Sequence, residues 1–237
     1  MNAKSVSPAE PARSVLVWDA PVRVFHWLMV LCFAGAYLTS ESEGFRLLHV
    51  TLGYTMLGLV VFRLLWGLMG TRYARFSAFI RGPQAVKQYL QSMLQGKPPH
   101  HTGHNPIGAL SIVAVLALTL LIGVTGWIFF NDLAGEWVAE VHELAANGLL
   151  LVVVVHIAGV LASSVLHREN LARAMVTGRK WVSADQGIKS AWRSVAAVMV
   201  LAVSGFWWLQ WQSAPTTGAS LGDAVAQVGA KTHDDDD

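Results

Sequence analysis

The chain has 237 residues and a formal net charge of +2; 54% of its residues are hydrophobic and only 14% are charged. Because a soluble domain of this size carries about a quarter charged residues, the composition excludes a soluble globular protein and predicts an integral membrane protein. The single cysteine, Cys32, excludes a disulfide framework.

The first twenty residues are polar, contain Pro8 and Pro11, and lack a small-residue cleavage site after an apolar core. This pattern predicts a retained cytoplasmic tail and not a cleaved signal peptide. At the other end, residues 213–237 are small and polar and are expected to be disordered. We assign no function to the closing run of aspartates.

Five apolar stretches are long enough to cross a bilayer, at residues 22–39, 47–69, 107–130, 138–166 and 191–211. A single segment in lipid must satisfy its own backbone hydrogen bonds, so each stretch is predicted to be an α-helix. Asp19 followed by Pro21 is typical of a helix N-cap with an early proline. The expected organisation is a tail at 1–20, an all-α four-helix core at 21–182, a fifth transmembrane helix at 183–212 and a tail at 213–237.

Basic residues concentrate in two of the four connections. The connection between spans two and three holds Arg72, Arg75, Arg81, Lys87 and Lys97, and that between spans four and five holds Arg168, Arg173, Arg179, Lys180 and Lys189. The other two loops carry Glu41 and Glu43 beside Arg46, and Asp132 with Glu136. Under the positive-inside rule, this alternation predicts a cytoplasmic N-terminus and a periplasmic C-terminus in a bacterial inner membrane.

Two segments of the basic connections, 83–94 and 170–177, mix apolar and cationic residues at helical spacing and are followed by Gly96 and Gly178. We expect them to form interfacial amphipathic helices on the cytoplasmic side. Tryptophans near the predicted span ends indicate anchoring at the membrane surface; they are Trp66, Trp127, Trp137, Trp181, Trp207, Trp208 and Trp211.

Four histidines lie inside the apolar stretches, where ionisable groups mark functional sites. His142 and His156 are fourteen residues apart on one span, which corresponds to about 21 Å of helical rise and a rotation about 40° short of four full turns. Both imidazoles therefore project from one helix face at two depths. His26 starts the first span and His49 the second, so His26 matches the depth of His156, and His49 matches the depth of His142.

Paired histidines on facing helices are the arrangement that a haem iron with two axial imidazoles requires. The Cys-x-x-Cys-His signature of covalent attachment is absent, so the pattern predicts two non-covalently bound b haems with His26, His49, His142 and His156 as iron ligands. The alternatives are hydrogen-bonded packing histidines or a zinc site, although no cluster of Cys, Asp or Glu accompanies them. Small residues beside these histidines, such as Gly53 and Gly159, favour close approach of a flat macrocycle, or ordinary helix packing.

Two arginines are candidate partners of the haem propionates. Arg63 lies fourteen residues after His49, on the same helix face at the cytoplasmic end, where it would bind a propionate of the cytoplasmic haem or extend to the membrane surface. Arg23 is a second candidate for that haem. His100, His101 and His104 are expected to be solvated and His167 to lie at the headgroups. His104 precedes a predicted helix and could approach a quinone or a propionate, but none of these is a preferred iron ligand.

At several points the chain resembles the bacterial cytochrome b561 family, which includes the b-type cytochrome subunit of nickel–iron hydrogenases. The opening is residues 18–27 (WDAPVRVFHW). Further matches are 48–49 (LH) with 53–54 (GY), 62–67 (FRLLWG), 103–108 (GHNPIG), 142–143 (HE) through 156, and 166–170 (LHREN). Together they cover about residues 15–180. The resemblance implies a four-helix core that binds two b haems through the same four histidines and exchanges electrons with the quinone pool.

The expected function is transmembrane electron transfer between quinone and a redox partner protein, either a hydrogenase or a soluble c-type cytochrome. No residue is expected to act as a catalytic group, and no nucleic-acid partner is indicated. A first alternative is a terminal oxidoreductase acting on a small substrate such as superoxide or ferric iron. Others are a transporter or channel with histidines as a proton relay, and a subunit that only anchors a partner.

Overall fold

The computed structural model of the chain describes residues 13–97 and 99–213. Its elements are β1 (Arg13–Leu16), α1 (Ala20–Leu38), α2 (Arg46–Met69), α3 (Phe76–Phe79), α4 (Pro83–Leu94), α5 (Pro106–Phe130), α6 (Trp137–Leu166), α7 (Leu171–Thr177), β2 (Arg179–Val182) and α8 (Arg193–Gln212). Short 3₁₀ turns precede α2 and follow β2. The expectations for residues 1–12 and 214–237, including His233, fall outside the described residues.

Five of these helices, α1, α2, α5, α6 and α8, are long and apolar enough to cross a membrane. The predicted spans are therefore confirmed, with ends that differ from the prediction by no more than two residues. Large apolar side chains remain exposed on the helices, for example Leu38 and Val165 at 82% and 80% exposure. This is the expected surface of a protein whose solvent is lipid hydrocarbon.

The helices begin and end where the sequence provides caps. Asp19 Oδ1 accepts a hydrogen bond from the Val22 amide at 2.8 Å, with Pro21 in the first turn. Asn105 caps α5 in the same way through the Gly108 amide at 2.7 Å. Helix α4 spans the predicted residues, and α7 ends at Gly178, which has a φ of +79°. Only glycine adopts this left-handed conformation without strain.

The helices pack as two neighbouring pairs. Helix α1 packs on α2, α5 packs on α6, and α2 joins the pairs by packing on α5. Among the described residues, α6 has little close backbone contact with α1 or α2, which leaves an interhelical gap bridged by side chains. The core between the helices includes Cys32, Met56, Val60 and Leu149.

The connections gather at two ends of the bundle. We call one the basic end; it comprises residues 13–19, 70–97, 99–105 and 167–192. The other, which comprises residues 39–45 and 131–136, is the acidic end. A strand pairing that the sequence analysis did not predict closes the basic end. Strand β1 pairs antiparallel with β2, with Val15 opposite Lys180, so the segment before α1 is tied to the segment after α7.

Two buried polar residues hold the basic end together. Asp19 also accepts hydrogen bonds from Trp66 Nε1 at 3.1 Å and from Thr71 Oγ1 at 2.6 Å. Trp66 is therefore buried at 8% exposure, and its expected role as a membrane-surface anchor was wrong. Lys180, at 3% exposure, pairs with Glu169 at 3.1 Å and donates to the Thr102 carbonyl at 3.2 Å.

The chain divides by contact density into residues 1–203 and 204–237. The first unit contains the packed helices and the basic end described above. The second contains, among the described residues, the last turns of α8, which continue as regular helix to Gln212.

Candidate functional site

His49 of α2 and His142 of α6 face each other near the acidic end. Their ring centres are 6.2 Å apart, with an interplanar angle of 60°. Two imidazoles that each bind one metal ion at about 2 Å, with the ring centre about 1.1 Å beyond the nitrogen, have centres about 6 Å apart. The spacing of the two rings therefore matches that of axial ligands on a shared iron.

Both rings are oriented by their second nitrogen. His49 Nδ1 donates to the Ala36 carbonyl oxygen at 2.9 Å, and His142 Nδ1 donates to the Ile122 carbonyl oxygen at 3.0 Å. Because a carbonyl only accepts, the hydrogen of each neutral ring must be on Nδ1, which leaves the lone pair on Nε2. A metal-binding histidine shows this arrangement in most sites, with the non-coordinating nitrogen held by a backbone carbonyl or carboxylate.

Helix α5 supplies a support for His142 that sequence reasoning missed. Thr125 Oγ1 lies 3.3 Å from His142 Nδ1. A Cβ atom at Gly126 would stand 2.9 Å from His142 Cε1, closer than non-bonded carbons approach. The GWIFF stretch that contains Gly126 has no pattern that marks it, since only the packing of α5 on α6 gives this glycine its role.

The second pair, His26 of α1 and His156 of α6, lies towards the basic end. The two rings are within electrostatic range of each other. The Nδ1 atom of His26 is buried and has no hydrogen-bond partner in the part of the chain that the structure describes. On α6, one turn from His156, a Cβ atom at Gly159 would meet no described heavy atom within 4 Å. No described side chain therefore covers α6 at Gly159.

Arg63 lies buried at the same end, at 2% exposure. Its guanidinium carbon lies 4.9 Å from the centre of the Phe76 ring and 6.0 Å from that of Phe79. The Nη1 atom is buried without a hydrogen-bond partner among residues 13–97 and 99–213. A side chain that extended to the membrane surface would be exposed, so the structure contradicts that interpretation of Arg63.

Part of the Arg23 guanidinium is hydrogen-bonded to the backbone of α7. Its Nη1 donates to the Val176 carbonyl oxygen at 2.6 Å, which directs the side chain towards the end of α7. Its Nε atom is buried and lacks a partner among the described atoms. The nearby charges are those of Arg193 and Asp19.

His104 is not solvated, contrary to the expectation for the three histidines before α5. Its ring centre lies 4.5 Å from that of Trp18 and 4.7 Å from that of Phe79, and its Nδ1 is buried with no described partner. Burial, and then the positive charge of Arg63, lower the pKa of His104 to about 3. His104 is therefore a neutral, buried ring at neutral pH.

The other histidines of the basic end differ from His104. His100 is exposed, as expected, and its Nε2 lies 3.2 Å from Glu169 Oε2. Burial lowers the pKa of His101 and of His167. The rings of His100 and His167 meet edge to face at 5.4 Å. These residues stabilise the basic end and lie outside the two facing pairs.

The donor set fits haem. Within residues 13–97 and 99–213, no three or more His, Cys, Asp or Glu side chains form a group that could hold a metal. A porphyrin supplies the equatorial nitrogens itself, so each iron needs only two protein ligands. The facing His49 and His142 rings, their oriented Nδ1 atoms and the buried Arg63 Nη1 without a described partner are therefore consistent with haem binding.

Comparisons with known proteins agree with this geometry. A family model described as prokaryotic cytochrome b561 matches residues 17–178. The chain is 24% identical over 214 residues to a probable Ni/Fe-hydrogenase B-type cytochrome subunit of Rhizobium leguminosarum bv. viciae, covering 71% of this chain and 89% of the relative. It is 23% identical over 222 residues to a protein of the same description from Rhodobacter capsulatus, covering 73% and 84%.

No solved structure matches the chain. The family match extends from the residue before Trp18 to the glycine that ends α7, and so contains His26, His49, His142 and His156. A b-type cytochrome carries haem b and transfers electrons at the membrane. The chain belongs to the prokaryotic cytochrome b561 family.

Proposed function

We propose that the chain binds two b haems, one between His49 and His142 and the other between His26 and His156. The observation that carries the proposal is the His49–His142 pair, whose ring centres are 6.2 Å apart. The Nδ1 hydrogen bonds of both rings leave Nε2 free for iron. The placement of His26 within range of His156 supports the second site.

Arg63 is proposed to bind a propionate of the haem at the basic end. A buried guanidinium without a counter-ion is costly, and a carboxylate within reach would accept hydrogen bonds from it. Arg23 is proposed to contribute its unpartnered Nε to the same region. Its hydrogen bond to Val176 leaves it less free to do so than Arg63.

The role of the four histidines is to hold and orient the redox groups. Haem b, when bound, supplies a one-electron ferric–ferrous couple. Two imidazoles per iron leave no open coordination position, which favours electron transfer over chemistry at the metal. His142 and His156 are separated by about 21 Å of rise on α6, so the two proposed sites lie at different depths in the bilayer.

We further propose that the chain exchanges electrons between the quinone pool and a redox partner protein in a bacterial inner membrane. Relatives are described as probable Ni/Fe-hydrogenase B-type cytochrome subunits, so the partner is proposed to be a hydrogenase-like protein or a soluble c-type cytochrome. The basic end is proposed to face the cytoplasm, because Arg and Lys concentrate in its connections.

The haem sites are tested by the pyridine haemochrome stoichiometry of the purified chain. We expect about two haems in the unchanged protein and about one in each of His26→Ala, His49→Ala, His142→Ala and His156→Ala. His167→Ala is the matched control, because His167 caps the same helix as two of the ligands, and it should retain both haems. Two haems in any of the four variants would refute the ligand assignment.

The electron donor is tested by stopped-flow spectroscopy. Reduction of the haem absorption bands by a quinol analogue should be faster than reduction by superoxide. A quinone analogue should reoxidise the reduced protein faster than ferric chelates do. Faster reaction with superoxide or ferric iron would instead support a terminal oxidoreductase.

A further inference from the structure

Several buried side-chain atoms towards the basic end lack a hydrogen-bond partner in the described chain, and two of them belong to Arg63 and His104. These two are Arg63 Nη1 and His104 Nδ1. Both side chains contact one ring: the guanidinium carbon of Arg63 is 6.0 Å, and the His104 ring centre 4.7 Å, from the centre of Phe79. The charge of Arg63 also acts on His104, so the two groups lie in one region.

The carboxylate whose charge acts on Arg63 is already hydrogen-bonded. Asp19 acts electrostatically on Arg63, but its two oxygens accept hydrogen bonds from Val22 N, Trp66 Nε1 and Thr71 Oγ1. No described carboxylate forms an ion pair with Arg63; the described ion pairs involve Glu169. A buried cation and a buried imidazole therefore require an acceptor that Asp19 does not supply.

His104 is also close to the proposed iron ligands and is fixed in place. It lies within electrostatic range of both His26 and His156. Its ring is held between Trp18 and Phe79. An anion that accepted from both Arg63 and His104 would thus lie within electrostatic range of His26 and His156.

We infer that His104 donates from Nδ1 to the same haem propionate that Arg63 binds, and that it thereby sets the reduction potential of the haem at the basic end. This inference rests on the proposed function. His104 is a positioning residue and not an iron ligand. A hydrogen bond to the propionate disperses its negative charge, and negative charge near the iron favours the ferric state. Loss of the donor therefore lowers the midpoint potential of this haem.

The test is a potentiometric titration of both haem bands in the full-length haem-loaded chain. His104→Phe retains the aromatic contacts but removes the N–H, whereas His104→Gln retains a donor. We expect His104→Phe to lower the reduced-to-oxidised ratio of one haem about tenfold at fixed ambient potential, or about 59 mV for one electron. His104→Gln should restore most of this shift. The other haem is the internal control, and His101→Phe is the matched control for a histidine of the same loop.

Each possible result either supports or contradicts the proposed hydrogen bond from His104. An unchanged midpoint in His104→Phe, or equal shifts in the Phe and Gln variants, would overturn it, because the second result indicates packing alone. If His104→Phe loses the basic-end haem, retention in His104→Gln supports the hydrogen bond and loss in both variants overturns it. A high-spin iron signal in both variants would indicate that His104 is an iron ligand and would also overturn the inference. Failure of the proposed function is seen separately, as a haem count below two in the unchanged protein.

Discussion

Single residues can affect haem binding in this protein because the Nδ1 atoms of the paired His49 and His142 are held by neighbouring helices. His49 and His142 each use Nδ1 to donate to a carbonyl of a neighbouring helix, Ala36 of α1 and Ile122 of α5. Each ring is therefore positioned by a helix that provides no histidine to that pair. A change on that supporting helix is expected to alter haem binding as much as a change beside the ligand itself.

Gly126→Ala provides a direct test of this support. The new Cβ would stand 2.9 Å from His142 Cε1, and the ring must move because its Nδ1 is held by Ile122. We expect affinity for the haem at the acidic end to fall about tenfold, in the range found for altered supporting contacts of metal ligands. The measurement is the rate and extent of haem transfer to apomyoglobin.

The matched control for Gly126→Ala is Gly205→Ala in α8, where a new Cβ meets no described heavy atom within 4 Å. It should leave haem retention unchanged. If Gly126→Ala retains haem as tightly as the control, the contact between α5 and His142 has no role in binding.

Asp19 is a second residue with several partners, and its removal is expected to cost stability. Asp19→Ala loses the cap of α1 and leaves the buried Trp66 and Thr71 donors without their acceptor. We expect a decrease of about 3 kcal/mol in the free energy of unfolding, measured by SDS titration in mixed micelles.

Asn170→Ala is the control for Asp19→Ala, because Asn170 caps α7 at an exposed site through the Arg173 amide alone, at 2.7 Å. It should cost about 1 kcal/mol or less. Equal losses in the two variants would show that Asp19 acts only as a helix cap.

At the scale of elements, the packing of α6 against its neighbours determines where the bundle has a gap for a bound group. Helix α6 packs on α5, has little close backbone contact with α1 and α2, and carries one histidine of each pair. The other histidine of each pair comes from α1 or α2. The pairing of helices therefore creates a gap of the kind that a planar group between two imidazoles requires.

The junction between α7 and β2 is sensitive to a small substitution. Gly178 has a φ of +79°, and a Cβ there would stand 2.7 Å from the Trp18 carbonyl oxygen. Gly178→Ala is expected to cost about 2–3 kcal/mol, from the left-handed backbone and the clash together. The measurement is the rate of limited proteolysis at the basic end, which should rise.

Gly96→Ala separates the cost of the left-handed backbone from the cost of the clash with Trp18. Gly96 has a φ of +68°, but its added Cβ would meet no described heavy atom within 4 Å. We expect a cost of about 1 kcal/mol from backbone strain alone. A proteolysis rate for Gly178→Ala no higher than that for Gly96→Ala would contradict the predicted clash with Trp18.

For the complete chain in its membrane, the orientation of the two ends can be tested by cysteine labelling. Cys32 is fully buried, so single cysteines introduced elsewhere report their own position. With the basic end in the cytoplasm, an impermeant maleimide should label Ser40→Cys in intact cells. It should label Ser77→Cys, which is exposed at the basic end, only after permeabilisation. The reverse pattern would invert the proposed topology.

The spans, the cap at Asp19 and the helical spacing of His142 and His156 could be predicted from the chain because each rests on local physics. Apolar length, capping chemistry and the 3.6-residue period act within one segment and do not require a neighbour. For the same reason α4 and the end of α7 at Gly178 were predicted closely. The expectation for Trp66 failed, because burial against Asp19 depends on a residue 47 positions away.

Nothing local indicated the contacts that orient the site. The β1–β2 pairing joins segments more than 160 residues apart, and the contacts of Gly126 and Thr125 with His142 arise where α5 and α6 meet. Helical spacing places His142 and His156 on one face whatever their neighbours are. Which carbonyls fix their rings, and which buried donors lack an acceptor, follows only from how the helices pack, because hydrogen bonds and close contacts depend on positions in space that distant segments define together.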